Sequence, residues 1–210
     1  MYRRFVKRSL DFLLALLALV ALSVPMLIVA LVVKFSSKGP ILFWQKRVGL
    51  NKKTFMMPKF RSMYTETPSD MPTHLLTDPS RWITPVGKIL RKTSLDELPQ
   101  LLVILTGKMS FIGPRPALWN QDDLVAERDK YGANDVRPGL TGWAQINGRD
   151  ELPIDVKARL DGEYVEKSAG ERADHSQHLC LGRGILRIYR YDRFALYEGL
   201  SGYRPRSFDR

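Results

Sequence analysis

Residues 11–34 read DFLLALLALVALSVPMLIVALVVK, and their interpretation decides the rest of the chain. Between Asp11 and Lys34 there are 22 residues, Phe12 to Val33, without a charge. A membrane helix needs about 20 such residues. Pro25, two positions after Ser23, falls just past the middle of the segment. Basic residues flank both ends: Arg3, Arg4, Lys7 and Arg8 before, and Lys34, Lys38, Lys46, Arg47, Lys52 and Lys53 after. Positive charge is retained on the cytoplasmic side, so a straight span leaves one basic flank on the wrong face. A helix broken at Ser23 and Pro25, entering and leaving on one face, satisfies both flanks and is the expected form of residues 1–38. A straight span with a tolerated proline is the alternative. A signal peptide needs a shorter apolar core and a small-residue cleavage site, and Leu31-Val32-Val33-Lys34 offers none.

The chain has 210 residues, with 33 Lys and Arg against 22 Asp and Glu, a formal charge of +11. Beyond the apolar segment about 170 residues remain, enough for one compact domain. Such an excess of positive charge suits nucleic acid, anionic lipid or phosphorylated substrates. The apolar segment and the lack of an aromatic-basic stripe argue against nucleic acid. Cys180 is the single cysteine, which fits a reducing, cytosol-facing domain.

Ile41–Gln45 and Thr54–Met57 read as short strands. Thr65–Ser80 reads as an exposed loop, and Val86–Arg91 as a short helix with Ile89 and Leu90 on its apolar face. Ser94 and Glu97 match a capping box ahead of Leu98, Leu101, Leu102, Ile104 and Leu105 at helical spacing. Pro99 argues for a helix starting a few residues later. Phe111–Pro116 reads as a rigid turn, Gln121–Tyr131 as a polar exposed helix, and Arg137–Arg149 as a glycine-punctuated loop. The expected fold is therefore helix-rich α/β with few short strands: a re-entrant helix, one compact domain over residues 39–168, and a tail.

Three groups of residues could carry chemistry. Asp96 and Glu97 fall at a helix N-terminus, where acidic residues also serve simply to favour the dipole. Their setting adds to this, because Arg91 and Lys92 precede them and Arg115 sits in a stiff Pro-Arg-Pro turn soon after. Arginine binds phosphate oxygens in a fork that lysine cannot reproduce. A carboxylate among such cations is expected to stay ionised, and an ionised aspartate can attack phosphorus. Two adjacent carboxylates also suit Mg²⁺. The second group, Lys59 to Met63, is a phosphate-binding candidate or an ordinary strand with a basic edge. The third, Arg137–Arg149, could bring backbone amides to an anion, or could be a turn cluster with Trp143 in the core. No phosphate-cradling G-x-x-x-x-G-K-[ST] loop is present, since Gly107-Lys108-Met109-Ser110 lacks the spacing. His175, His178 and Cys180 lack a fourth metal ligand at sensible spacing.

Together these segments resemble the bacterial sugar transferases of the monotopic phosphoglycosyl transferase superfamily, in their minimal catalytic form. The resemblance runs from Tyr2 to about Ser168. It rests on Gly39-Pro40, Gln45–Gly49, Lys59–Met63, Arg91, Ser94–Gln100, Met109–Pro116, Arg137–Arg149 and Leu160-Asp161 with Tyr164-Val165, in that order. It implies transfer of a sugar 1-phosphate from a UDP-sugar to a polyprenol phosphate, undecaprenyl phosphate in bacteria, with release of UMP. By resemblance Asp96 is the nucleophile, and Glu97 helps bind Mg²⁺ or positions the aspartate. Lys59, Arg91 and Arg115 hold phosphates, with Arg137 and Arg149 as further candidates. The implied location is the cytoplasmic face of the bacterial inner membrane, on anionic lipid; the residues leave a homodimer open. The Ser23-Val24-Pro25 break departs from a Ser-Pro pair common in relatives. Residues 169–210 depart further: they contain no lysine, only arginines, and read as a divergent or frame-shifted extension. A catalytically inactive scaffold of the same family is the alternative that this tail suggests.

Overall fold

The computed structural model describes residues 5–68, 78–148 and 152–169. Two helices open it, α1 (Val6–Ala21) and α2 (Ser23–Ser36), bent by 63° at Leu22. Pro25 accounts for the break. It has no amide to offer Ala21, and its ring would crowd that carbonyl in a continuous helix. Placed in the first turn of α2, where amides lack helical partners, it costs nothing. Ser23 Oγ donates to Val20 O at 2.8 Å and so satisfies one carbonyl at the bend. Neither helix alone is long and apolar enough to cross a membrane, but the bent pair passes that test together. Its outer surface is apolar and exposed along both arms, with Leu13, Leu17, Val20, Val24, Leu27 and Ile28 all uncovered.

Strands β1 (Leu42–Val48) and β2 (Thr54–Phe60) pair antiparallel, Leu42 opposite Phe60 and Val48 opposite Thr54. Both run longer than the sequence reading. Alternation puts Phe55, Met57 and Lys59 on one face of β2. Phe55 and Met57 join Ala15 of α1 and Leu101, Val103, Ile104 and Met109 in the main core, so Lys59 extends inward from the edge of an apolar face.

The short helix α3 (Pro79–Trp82) precedes α4 (Pro85–Thr93), capped by Thr84, whose Oγ1 accepts from Gly87 N at 2.9 Å. Leu90 of α4 is buried with Val33 and Phe60, but Ile89 is 62% exposed, against expectation. Gly87 lies hard against the Ser62 carbonyl, and that contact fixes which side of α4 faces inward. The capping box does not form: Ser94 is left-handed (φ 57°) with no side-chain cap, and Leu95–Glu97 make a 3-10 turn. α5 starts at Gln100 and runs to Leu105, so Pro99 delays its start as expected.

β3 (Ser110–Ile112) pairs parallel with β4 (Gly139–Thr141). α6 (Asp122–Asp129), α7 (Trp143–Ile146) and α8 (Ile154–Ala169) complete the described residues. α6 is not uniformly exposed, since Leu124 and Arg128 are buried. Trp143 is half-buried, and its Nε1 donates to Glu163 Oε2 of α8 at 3.0 Å.

The ends of the bent pair are tied to the rest of the fold by polar contacts. Lys7 bonds Asp11 (3.2 Å) and Ser110, Asp11 accepts from Phe111 N (3.2 Å), and Arg8 donates to Ile104 O (2.6 Å) and Leu105 O. The Lys7–Arg8 pair, read from sequence as membrane-side charge, thus docks α1 on β3 and the end of α5. At the other end, Arg61 donates to Val33 O (3.2 Å), Ser37 O (2.7 Å), Ser37 Oγ (3.0 Å) and Lys38 O (2.7 Å), closing the C-terminus of α2.

Candidate active site

Three segments converge on the Leu95–Glu97 turn. The left-handed Ser94 ends α4 and turns the chain so that Asp96 and Glu97 follow within one turn. Lys59 Nζ reaches Glu97 Oε1 at 2.8 Å from β2, and Arg115 Nη2 reaches the same oxygen at 2.9 Å from the Pro-Arg-Pro turn. Arg91, in the last turn of α4, donates to Met63 Sδ at 3.3 Å and bears electrostatically on Asp96.

The two carboxylates are treated differently by these surroundings. At Glu97 the Arg115 and Lys59 cations outweigh burial and hold the carboxyl well below the usual range. Asp96 is 7% exposed and makes no ion pair among the described residues. Burial pushes its carboxyl up, aided by the Glu97 charge, and Lys59 and Arg91 only partly offset this. Surrounding cations therefore dominate at Glu97, whereas desolvation outweighs them at Asp96. Burial also lowers the Lys59 ammonium, against the pull of Glu97.

Arg115 is held by groups to which the sequence assigned no site role. Arg128 Nη2 donates to the Arg115 carbonyl at 3.0 Å, and Arg47 Nη1 to the Pro116 carbonyl at 3.0 Å. Arg128 is itself fixed by Asp161 of α8, whose Oδ2 accepts from Nε at 2.8 Å and Nη2 at 2.6 Å, with both side chains buried. Tyr164 Oη donates to Ile112 O at 2.8 Å. The polar pattern of α6 concealed Arg128, and its i, i+4 relation to Leu124 was the only hint that it points inward.

The glycine-punctuated loop braces the same turn from behind. Gly113 N donates to Thr141 O and Gly139 N to Pro114 O, both at 2.9 Å. A Cβ on Gly139 would meet Gly113 N at 2.1 Å, and one on Gly142 would meet Gly113 O at 2.1 Å. Gly139 and Gly142 thus serve close approach of backbone to backbone. Arg137 donates to Gly107 O at 2.8 Å, beyond the end of α5 away from the dyad. Arg149 lies outside the described residues, as do His175, His178 and Cys180.

No group of three or more Asp, Glu, His or Cys side chains converges as a metal site among the described residues. The acidic donors at the dyad are Asp96 and Glu97, and Glu97 Oε1 is already engaged by two cations. That set fits a cation drawing most of its ligands from water and phosphate oxygens, as Mg²⁺ does.

Residues 2–171 match the bacterial sugar transferase family. The chain belongs to that family. Among relatives, this sugar transferase is 42% identical over 160 residues to the uncharacterized sugar transferase EpsL of Bacillus subtilis, covering 76% of this chain and 77% of the relative. It is 38% identical over 174 residues to the exopolysaccharide production protein ExoY of Sinorhizobium fredii, covering 76% of each. It is 40% identical over 177 residues to a UDP-glucose:undecaprenyl-phosphate glucose-1-phosphate transferase of Escherichia coli, spanning 78% of this chain but 37% of that longer protein.

Proposed function

We propose that this sugar transferase moves a sugar 1-phosphate from a UDP-sugar to undecaprenyl phosphate, giving undecaprenyl-diphosphate-sugar and UMP, the first membrane step of surface glycan assembly. The observation that carries this reading is the asymmetry of the dyad. Glu97 is gripped by Lys59 and Arg115, while Asp96 beside it is buried without an ion pair. A carboxylate not held in an ion pair is the better nucleophile, and its neighbour fixes two cations where phosphate oxygens must lie. The names of the Escherichia coli relative and of the undecaprenyl-phosphate glucose phosphotransferase of Komagataeibacter xylinus support the class of donor and acceptor.

In this reading an Asp96 oxygen attacks the β-phosphorus. The bond to the oxygen linking the two phosphates breaks, and its electron pair leaves with UMP. An oxygen of undecaprenyl phosphate then attacks the same phosphorus and displaces the Asp96 carboxylate. Lys59, Arg115 and Arg91 hold the phosphates in line for both displacements. Mg²⁺, held by Asp96 or Glu97 with phosphate oxygens, would supply charge neutralisation. The bent helix pair seats the site at the membrane surface, where the acceptor phosphate lies.

The test is UMP release from a panel of UDP-sugars with Mg²⁺ and undecaprenyl phosphate, parent against Asp96→Asn. Release by the parent alone is the expected result and identifies the sugar. Equal release by Asp96→Asn removes the aspartate from the chemistry.

A further inference from the structure

Gln100 is 1% exposed, and its Nε2 has no hydrogen-bond partner among the described residues. A buried amide left unpaired costs stability, and an aliphatic side chain of that size would pack the same space without the cost. Its position is informative. Leu98 (φ −53°, ψ −37°) and Pro99 (φ −60°, ψ −17°) are helical, so the chain runs without interruption from the Leu95–Glu97 turn into α5. The turns are bonded i to i+3, Leu98 N to Leu95 O at 3.3 Å and Leu101 N to Leu98 O at 3.1 Å, so Gln100 lies just over one turn beyond Asp96, and both are buried. Gln100 shares the buried side of α5 with Leu101, Val103 and Ile104. Helical side chains lean toward the N-terminus, which in Gln100 is the turn carrying Asp96. Two buried polar groups therefore lie one turn apart, an acceptor with no ion pair and a donor with no acceptor.

We propose that Gln100 is a positioning residue for Asp96. Its amide engages the carboxylate when that group turns one oxygen toward phosphorus, and holds the other oxygen while the aspartyl phosphosugar exists. This rests on the function proposed above and names a further residue of the same site. As the Asp96 oxygen bonds to the β-phosphorus and UMP departs with the electron pair of the broken bond, the second oxygen becomes the carbonyl of an acyl phosphate. A neutral N–H donor suits that oxygen at every stage, and Gln100 neither gains nor loses a proton. An amide unpaired at rest and paired in the reacting state contributes to the rate and little to substrate binding. A lysine or arginine in its place would pair with Asp96 at rest and hold the nucleophile as Glu97 is held.

The experiment compares the full chain with Gln100→Leu and Gln100→Met. It uses the UDP-sugar that yields UMP in the panel above and omits the acceptor, so that only the first displacement is read. The expected result is a burst of UMP slowed about tenfold or more, with the half-saturating UDP-sugar concentration within about twofold of the parent and Tm unchanged or raised. A burst equal to the parent's in both variants overturns this inference alone. A fall in Tm alongside the slower burst in both variants also overturns it, because the amide then has partners that hold the fold. Silence of the parent across the whole panel overturns the functional reading beneath it.

Discussion

Two adjacent carboxylates in one turn have opposite titration behaviour, and the sign of each follows from what surrounds it. Burial raises the Asp96 carboxyl, so the folded state favours the neutral form. Stability contributed by this group is complete below the ordinary aspartate range near pH 4 and is lost as pH rises through the raised value. Asp96→Asn removes that cost: at pH 7 the variant is inactive yet melts higher than the parent, and the difference vanishes in acid. Each kcal/mol relieved appears as roughly 2–4 °C in Tm for a chain of this size. Glu97 is the reverse. Its carboxyl is depressed, so its contribution is complete above about pH 4 and is lost as pH falls through the lowered value. Glu97→Gln leaves Lys59 and Arg115 half-compensated, and costs up to about 3 kcal/mol at pH 7. Melting curves of the two variants from pH 3 to 8 check both signs; shifts of the same sign at pH 7 sink the assignment. Activity of the parent should also fail on acidification sooner than an ordinary aspartate would dictate, because in the proposed reaction Asp96 attacks as the ionised carboxylate.

At the scale of elements, Lys59 and Arg61 look equivalent in the sequence, two residues apart on one basic edge, and the structure separates them. Lys59 continues the Phe55–Met57 face and meets Glu97; Arg61, just past β2, meets four acceptors that end α2. The parity of Phe55, Met57 and Lys59 was legible, but a ring of backbone carbonyls leaves no trace in side-chain pattern. The same limit hid Arg128, whose acceptors are the Arg115 carbonyl and an aspartate 33 residues away. Legible features were local and covalent in origin: the bend near Pro25, the two strands, and the delayed start of α5 after Pro99. The capping box misled because the left-handed Ser94 belongs to the end of α4. Gly39 completes the Arg61 cap. Its φ is 127°, and a Cβ there would meet Arg61 Nη1 at 2.0 Å. Arg61→Met and Gly39→Ala should each destabilise the domain by about 2–4 kcal/mol, and Arg61→Lys should recover little, since one ammonium cannot span these acceptors. Thermal melting in detergent checks this; a Lys variant melting like the parent would mean that charge alone, and not the fork, holds α2.

For the whole molecule the question is what covers the bent helix pair. At 1.5 Å per residue its arms are about 24 and 21 Å long, each short of the roughly 30 Å hydrocarbon core. Both outer ends are fastened to one domain, α1 through Arg8 and Lys7 at α5 and β3, α2 through Arg61. A straight crossing would place those ends on opposite faces, which one compact domain cannot bridge. Entry and exit on the same face, with the exposed leucines in lipid, is the arrangement this geometry favours, and in the function proposed above it would bring the dyad to the acceptor phosphate. Leu17 and Leu27, 57% and 60% exposed, one on each arm, make few internal contacts to lose. A carboxylate at either costs about 2.5–3.5 kcal/mol at membrane depth. The double variant Leu17→Glu, Leu27→Glu should therefore melt like the parent in detergent but fail to float with vesicles of phosphatidylethanolamine and phosphatidylglycerol. Flotation equal to the parent's would mean that protein, not lipid, covers this surface. Normal UMP release in detergent together with lost transfer on vesicles would assign the bent pair to acceptor access, because the first displacement of the proposed mechanism needs only the dyad and a soluble donor.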